Sequence, residues 1–269
     1  IDGETIQLAD GAEVRLVGAL SPRAFDAGVA GADWPAEREA HAALTTLVAG
    51  QAVALAHSGR HADRHGRLLA HVFVDRDGAR AWVQADMIAA GHARAYGMPD
   101  SVACLPDLRD YETAARDGQL GLWRNPVYAI RPAPATRDLM HLRNTYQIVE
   151  GTIAAVADVR GHVYLNFGTD WREDFTAGIA TARQDRAWLD EVRGLTGRRV
   201  RVRGWIERQN GPFIAVFDRA QIELIEPASA VAAASSEAPP RRRRSRARPP
   251  LEVAPAEPPP ADPAPPSTD

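Results

Sequence analysis

The sequence predicts a β-rich α+β protein: a small barrel with helices packed at one end, a linker, a second smaller barrel, and a disordered tail. Three observations carry that reading. Short alternating apolar runs bounded by turn residues recur through residues 1–125 and again through 145–227. Helical spacing interrupts those runs in only a few places. From about Pro227 to Asp269 the chain is mostly Ala, Pro, Ser and charge, with no aromatic residue, and has too little apolar surface to fold.

The elements follow in order. Thr5 to Leu8 alternates, Ala9-Asp10-Gly11 turns, and Val14 to Val17 reads as the partner strand of a hairpin. Asp33 is placed to cap a helix with Pro35 in its first turn. Ala40, Leu44, Leu47 and Val48 recur at helical spacing, and Gly50 ends the run. Val53 to Ala56 and Leu68 to Val74 read as a second hairpin. Val83 to Ala90, closed by Gly91, and Leu108 to Ala115 read as helices. Pro126, Pro132 and Pro134 place a linker over residues 126–144. Beyond it, Gln147 to Val156, His162 to Phe167 and Asp174 to Ile179 read as strands, and Thr181 to Val192 as a helix. Arg199 to Glu207 and Pro212 to Phe217 form a hairpin around Asn210-Gly211. Three strands, a helix and two strands is the order of the five-stranded oligonucleotide/oligosaccharide-binding (OB) barrel.

Charge narrows the function. All 32 basic residues are arginine. Residues 1–125 hold 12 Arg against 17 acids, and residues 126–227 hold 14 against 13. Tight nucleic-acid binding rests on neutralising phosphates and normally shows a basic excess, which is missing here. No stretch approaches the roughly 20 apolar residues of a membrane helix. Cys104 is the only cysteine, so no intramolecular disulfide forms.

Four ordered motifs resemble the staphylococcal-nuclease-like (thermonuclease) family. Asp2-Gly3-Glu4-Thr5 stands where the family has Asp-Gly-Asp-Thr. Val14-Arg15-Leu16-Val17-Gly18-Ala19-Leu20-Ser21-Pro22-Arg23 stands where it has Val-Arg-Leu-x-Gly-Ile-Asp-Thr-Pro-Glu. Asp63-Arg64-His65-Gly66-Arg67-Leu68-Leu69-Ala70 matches Asp-Arg-Tyr-Gly-Arg-x-Leu-Ala, and Gly121-Leu122-Trp123 matches the Gly-Leu-Trp ending. The resemblance implies an OB-type barrel over 1–125. It also implies a start partway through the first strand, with an upstream segment such as a signal peptide, and an exported or periplasmic location.

It further implies a chemistry that this chain has partly lost. The family binds Ca²⁺ with two carboxylates and a backbone oxygen, activates water with a glutamate, and holds phosphate with two arginines. Calcium requires hard oxygen ligands, water attack requires a proton acceptor, and phosphoryl charge requires fixed donors. Arg15 and Arg67 match the two arginines, Glu4 the first carboxylate and Ser21 the threonine. Leu20 replaces the second carboxylate and has no oxygen to offer. Arg23 replaces the base and cannot accept a proton. With Glu4, Arg15, Arg23 and Arg67 the pocket is net positive, which repels Ca²⁺ and attracts an anion. Asp26 and Asp33 are candidate replacement ligands, Asp26 first. The plainer alternative is that Arg15 and Arg67 simply pair with Glu4 or Asp63.

Three weaker signals remain. His57, His61 and His65 would share one face of a helix as a zinc site, but Gly59 and Gly66 favour a polar loop. The strand Arg199 to Trp205 alternates, placing Arg199, Arg201, Arg203 and Trp205 on one face, with Tyr164 and Trp171 able to extend it. Such a surface grips single strands, unless its arginines meet the domain's own acids. Arg241 to Arg244, Arg246 and Arg248 form a basic cluster in the tail, suited to nucleic acid, an anionic membrane surface or an acidic partner.

The sequence therefore predicts a non-catalytic module for single-stranded nucleic acid or another polyanion, with no cofactor. One alternative is a Ca²⁺-dependent phosphodiesterase using Glu4, Arg15, Arg67 and a relocated ligand. The other is a structural adaptor for a protein partner. Oligomeric state is not fixed by the sequence.

Overall fold

A computed structural model describes residues 1–28 and 33–225. The tail and its arginine cluster lie outside the described residues. Strand β1 (Thr5–Gln7) pairs antiparallel with β2 (Glu13–Leu16), which runs parallel to a later, longer strand. The short β3 (Ala19–Leu20) leads through a 3₁₀ turn at Ala24–Ala27 toward helix α1 (Pro35–Val48). Trp34, not Asp33, occupies the cap of α1; the Asp33 side chain pairs with Arg38 instead. Strands β4 (Val53–Ala56), β5 (Leu68–Arg76) and β6 (Ala79–Trp82) complete a sheet of order β1-β2-β5-β4, with β6 also on β5. The sequence reading overlooked β6, whose turn is built on Asp77 and Gly78, both at positive φ. Helix α2 (Val83–Ala89), β7 (Arg94–Ala95) and helix α3 (Leu105–Asp117) follow, with β7 pairing β3. Leu16, Leu44, Val72, Val83, Ile88 and Leu108 form the core between this sheet and the helices.

The stretch expected as a linker carries structure. A 3₁₀ turn at Pro126–Tyr128, β8 (Arg131–Pro132) and α4 (Thr136–His141) fill it, and β8 joins the next sheet. The prolines end elements here without freeing the chain, because Ala133 N–H still donates to Glu150 O and Leu139 is fully buried.

In the second half, the strand expected over 147–156 is two: β9 (Tyr146–Thr152) and β10 (Ala155–Val159). The break falls at Ile153, which is buried and donates its N–H to Arg198 O. Strands β11 (His162–Asn166) and β12 (Thr176–Ala180) come next. The expected helix begins late, as a 3₁₀ turn at Thr181–Arg183 and then α5 (Arg186–Arg193), because Asp185 caps it by accepting from Trp188 N–H. Strands β13 (Arg199–Trp205), β14 (Glu207–Gln209), β15 (Gly211–Val216) and β16 (Ile222–Leu224) end the described chain. The pairings give two open sheets, β10-β11-β12-β15-β14 and β16-β13-β9-β8, with β12 and β15 parallel. Their inner faces bury Val163, Leu165, Ile179, Val202 and Ile214 with Trp188 and Leu189 of α5.

The described residues all fall in one compact unit, Ile1–Glu226. Buried charge joins the two halves: Arg203 of β13 pairs with Glu112 of α3 at 2.9 Å, both nearly inaccessible. Arg94 of β7 donates to Tyr146 O at 2.6 Å, packs on the Tyr146 and Tyr128 rings, and pairs with Asp26 at 3.2 Å. Among the described residues, no helix is long and apolar enough to cross a membrane.

Candidate functional site

The Asp2–Thr5 turn delivers Glu4 into the interior. Asp2 Oδ1 accepts from Glu4 N–H at 2.8 Å, and Glu4 O accepts from Leu16 N–H at 2.8 Å, which fixes the turn against β2. Gly3 is required because a Cβ there would sit 2.8 Å from Ser21 Cβ and 2.9 Å from Ala40 Cβ. The turn therefore seats directly on the segment after β3, and Glu4 is fully buried.

Its carboxylate is surrounded by donors. Oε2 accepts from Ser21 N–H at 3.1 Å. Oε1 meets Arg15 Nη2 at 3.1 Å and also accepts from Arg23 Nη2. Burial lowers the Arg23 pKa, but the neighbouring Glu4, with Asp2 and Asp26, more than offsets this and holds it above its ordinary value. The side chain at the position expected from the sequence to match the family's base is thus a charged guanidinium engaged with Glu4. Leu20 is buried in the β3–β7 pairing opposite Arg94.

Arg67 stands one residue before β5. Arg15 pairs in register with Leu69, so Arg67, two residues earlier, lies on the same sheet face as Arg15. Asp63 holds it through Nε at 2.8 Å and Nη2 at 2.7 Å. Burial tends to raise the Asp63 pKa, but bonds from the Arg67 side chain and from the His65 and Arg67 N–H groups pull it below the usual carboxylate range. That contribution is complete above the ordinary value of ~3.9 and is lost as pH falls through the depressed folded value. Asp63→Asn should therefore lower the urea midpoint at about pH 7, by an amount that shrinks as pH falls below the ordinary carboxylate range and through the depressed folded value.

The structure brings Glu4, Arg15, Ser21 and Arg23 together and keeps Arg67 on its own carboxylate. The two pairs of the plainer sequence reading, Arg15 with Glu4 and Arg67 with Asp63, both form. Asp26 is held by Arg94 and by Arg23 N–H at 3.2 Å, and Asp33 is exposed. Calcium binding does not fit this donor set: the one carboxylate at the matched positions is occupied by two guanidinium groups and a backbone N–H. Among the described residues, no three His, Cys, Asp or Glu side chains gather as metal ligands. His57 and His61 stack on each other at 4.6 Å, while His65 Nε2 meets Arg64 Nε at 3.0 Å.

The arginine strand of the second half is not an open face. Val200 and Val202 point inward as expected, but Arg203 is buried against Glu112 and donates to Ala95 O at 3.2 Å. Arg199 and Arg201 both bind Glu150, and Arg201 also reaches Glu223 at 3.2 Å. Trp205 is 39% exposed and packs edge-on to Tyr96 and Tyr146. Sequence reading missed Arg94, Glu112 and Glu150 as partners; no local pattern distinguishes them from surface charges.

No curated protein matches the chain. The family model described as staphylococcal nuclease homologue matches residues 13–125, a span that contains Arg15, Leu20, Arg23, Arg67 and the Gly-Leu-Trp ending. Residues 13–125 are therefore a domain of the staphylococcal nuclease homologue family.

Proposed function

We propose that this is a non-catalytic member of the nuclease kind, in which the former active site serves as a cradle for phosphate or another anion. The observation that carries the reading is the buried Glu4 carboxylate held by Arg15, Arg23 and Ser21 N–H. A carboxylate so engaged holds guanidinium groups in place and is not free to ligate a cation. The Arg23 side chain is 46% exposed, and the Arg15 and Arg67 side chains are about one-fifth exposed, so all three can meet an incoming anion from one side. We read residues 1–125 as the cradle domain and 145–227 as an OB-like accessory domain. The order and the parallel β12–β15 pair support the latter, as do the consecutive strands β9 and β10, and β13 and β14, each pair placing one strand in either sheet.

The test follows labelled single-stranded DNA and RNA with the full chain, in Ca²⁺ or chelator, reading cleavage and anisotropy together. Binding without cleavage is expected, unchanged by chelator. Arg15→Ala/Arg67→Ala should weaken it about tenfold or more and reduce the salt slope by about 1.4, at ~0.7 per single-strand phosphate contact. Ca²⁺-dependent cleavage lost in the double variant would overturn the reading in favour of a rearranged nuclease. Absence of both signals would make the domain a protein-interaction module.

A further inference from the structure

The outer face of the sheet β10-β11-β12-β15-β14 carries a groove of about 370 Å³, at the small end of the ~300–1,000 Å³ typical of ligand pockets. Register puts Ala157, Tyr164 and Gly178 in one row and Asn166, Thr176 and Phe213 in the next, all pointing away from the core. An outward sheet face is normally solvated and polar; this one is floored by aromatic rings. Gly178 makes the floor possible. A Cβ there would lie 2.5 Å from Phe213 Cζ and 3.4 Å from Tyr164 Cε1, so both rings lie close over the glycine.

The walls are built as firmly. Trp171, 52% exposed, stands on the loop between β11 and β12. That loop is braced by Asp170 N–H to Asp174 Oδ2 at 2.7 Å and Arg172 N–H to Asp170 Oδ1 at 3.0 Å. Arg172 lies over one face of the Trp171 ring at 4.5 Å, leaving the other. Opposite is the turn of Gln209 and Asn210, the latter at φ 66. Asn166 accepts from Thr176 Oγ1 at 3.3 Å, which leaves its NH₂ without a partner among the described residues. The carboxamides of Gln209 and Asn210 are likewise unpartnered among them.

Rings and carboxamides select a class of ligand. No lining residue is charged at neutral pH. A nucleic-acid strand would bring phosphates that need cations beside the stacked bases. A sugar ring needs none: its C–H face lies on an aromatic ring, and its vicinal hydroxyls pair with carboxamides, which donate and accept together. The geometry points to a binding site for an uncharged glycan, with Trp171, Tyr164 and Phe213 as the platform and Asn166, Gln209 and Asn210 as the hydroxyl readers. The site is separate from the Glu4 cradle and does not depend on it.

The experiment presents the full chain to an array of neutral, acidic and sulfated glycans, then titrates the strongest neutral binder by calorimetry with oligo(dT) in parallel. Neutral glycans should bind with little salt dependence. Trp171→Ala, at an exposed position, should leave the melting temperature unchanged and weaken binding about tenfold or more. Gly178→Ala should do the same by lifting Phe213, and Arg15→Ala/Arg67→Ala should leave glycan affinity unchanged. The assignment falls if no neutral glycan binds, or if Trp171→Ala binds as well as the parent. It falls equally if only acidic glycans or oligo(dT) bind at this face, with affinity that drops as salt rises.

Discussion

Glu112→Ala should destabilise the protein by about 3–5 kcal/mol, because it leaves the Arg203 guanidinium buried without its counter-charge. Glu112 and Arg203 are both nearly inaccessible and 2.9 Å apart. Glu112 also accepts from Ala95 N–H at 2.8 Å, so the substitution orphans a backbone donor as well. Among the described residues, the other acidic group near Arg203 is Glu223 at 3.8 Å, beyond hydrogen-bond distance. Urea unfolding of the full chain measures the loss. The double variant Glu112→Gln/Arg203→Met should recover most of it, since Gln keeps an acceptor for Ala95 N–H while no charge remains to be buried. A loss below about 1 kcal/mol would mean that the pair behaves like an exposed one. Because α3 and β13 belong to different halves of the chain, the transition should also remain single, with both halves unfolding together.

Gly91→Ala should cost about 2–5 kcal/mol, combining ~1–2 for a left-handed non-glycine residue with ~1–3 for overpacking. Gly91 ends α2 at φ 73, and a Cβ there would run into the Leu120 carbonyl. Gly121 is its mirror partner, at φ 49, where a Cβ would run into the Gly91 carbonyl. Leu122 N–H donates to Gly91 O at 2.8 Å across this contact. The Gly-Leu-Trp ending is thus a close backbone-to-backbone seat for the end of α2, and Leu122 and Trp123 then pack with Tyr128 and Ile148. Gly78→Ala is the control. Its φ is 77, but no heavy atom lies within 4 Å of the added Cβ, so only the backbone cost of ~1–2 kcal/mol should appear. Thermal or urea unfolding of both variants separates the two costs; equal losses would show that the Leu120 contact relaxes freely.

Features that depend on neighbours along the chain are legible in the residues alone. The hairpin β1–β2 follows from alternation around Ala9-Asp10-Gly11, and the β14–β15 turn from Asn210-Gly211, whose Asn210 takes the positive φ that such turns need. Family motifs located Glu4, Arg15, Arg23 and Arg67, and the chemistry of Leu20 and Arg23 was readable as the absence of oxygen and of a proton acceptor. Which charges are free is set by packing. Arg203 looks like an outward residue of an alternating strand, yet it is buried because α3 covers that face and brings Glu112 to it. Asp26 looks like a spare ligand near Leu20, yet Arg94, 68 residues away, holds it. The groove over Gly178 depends on four strands, β10, β11, β12 and β15, and two loops meeting at one register. Turn and strand preferences are local free energies written in a few adjacent residues. A charge is instead priced by its surroundings, through desolvation and distant partners, and those exist only once the chain has packed.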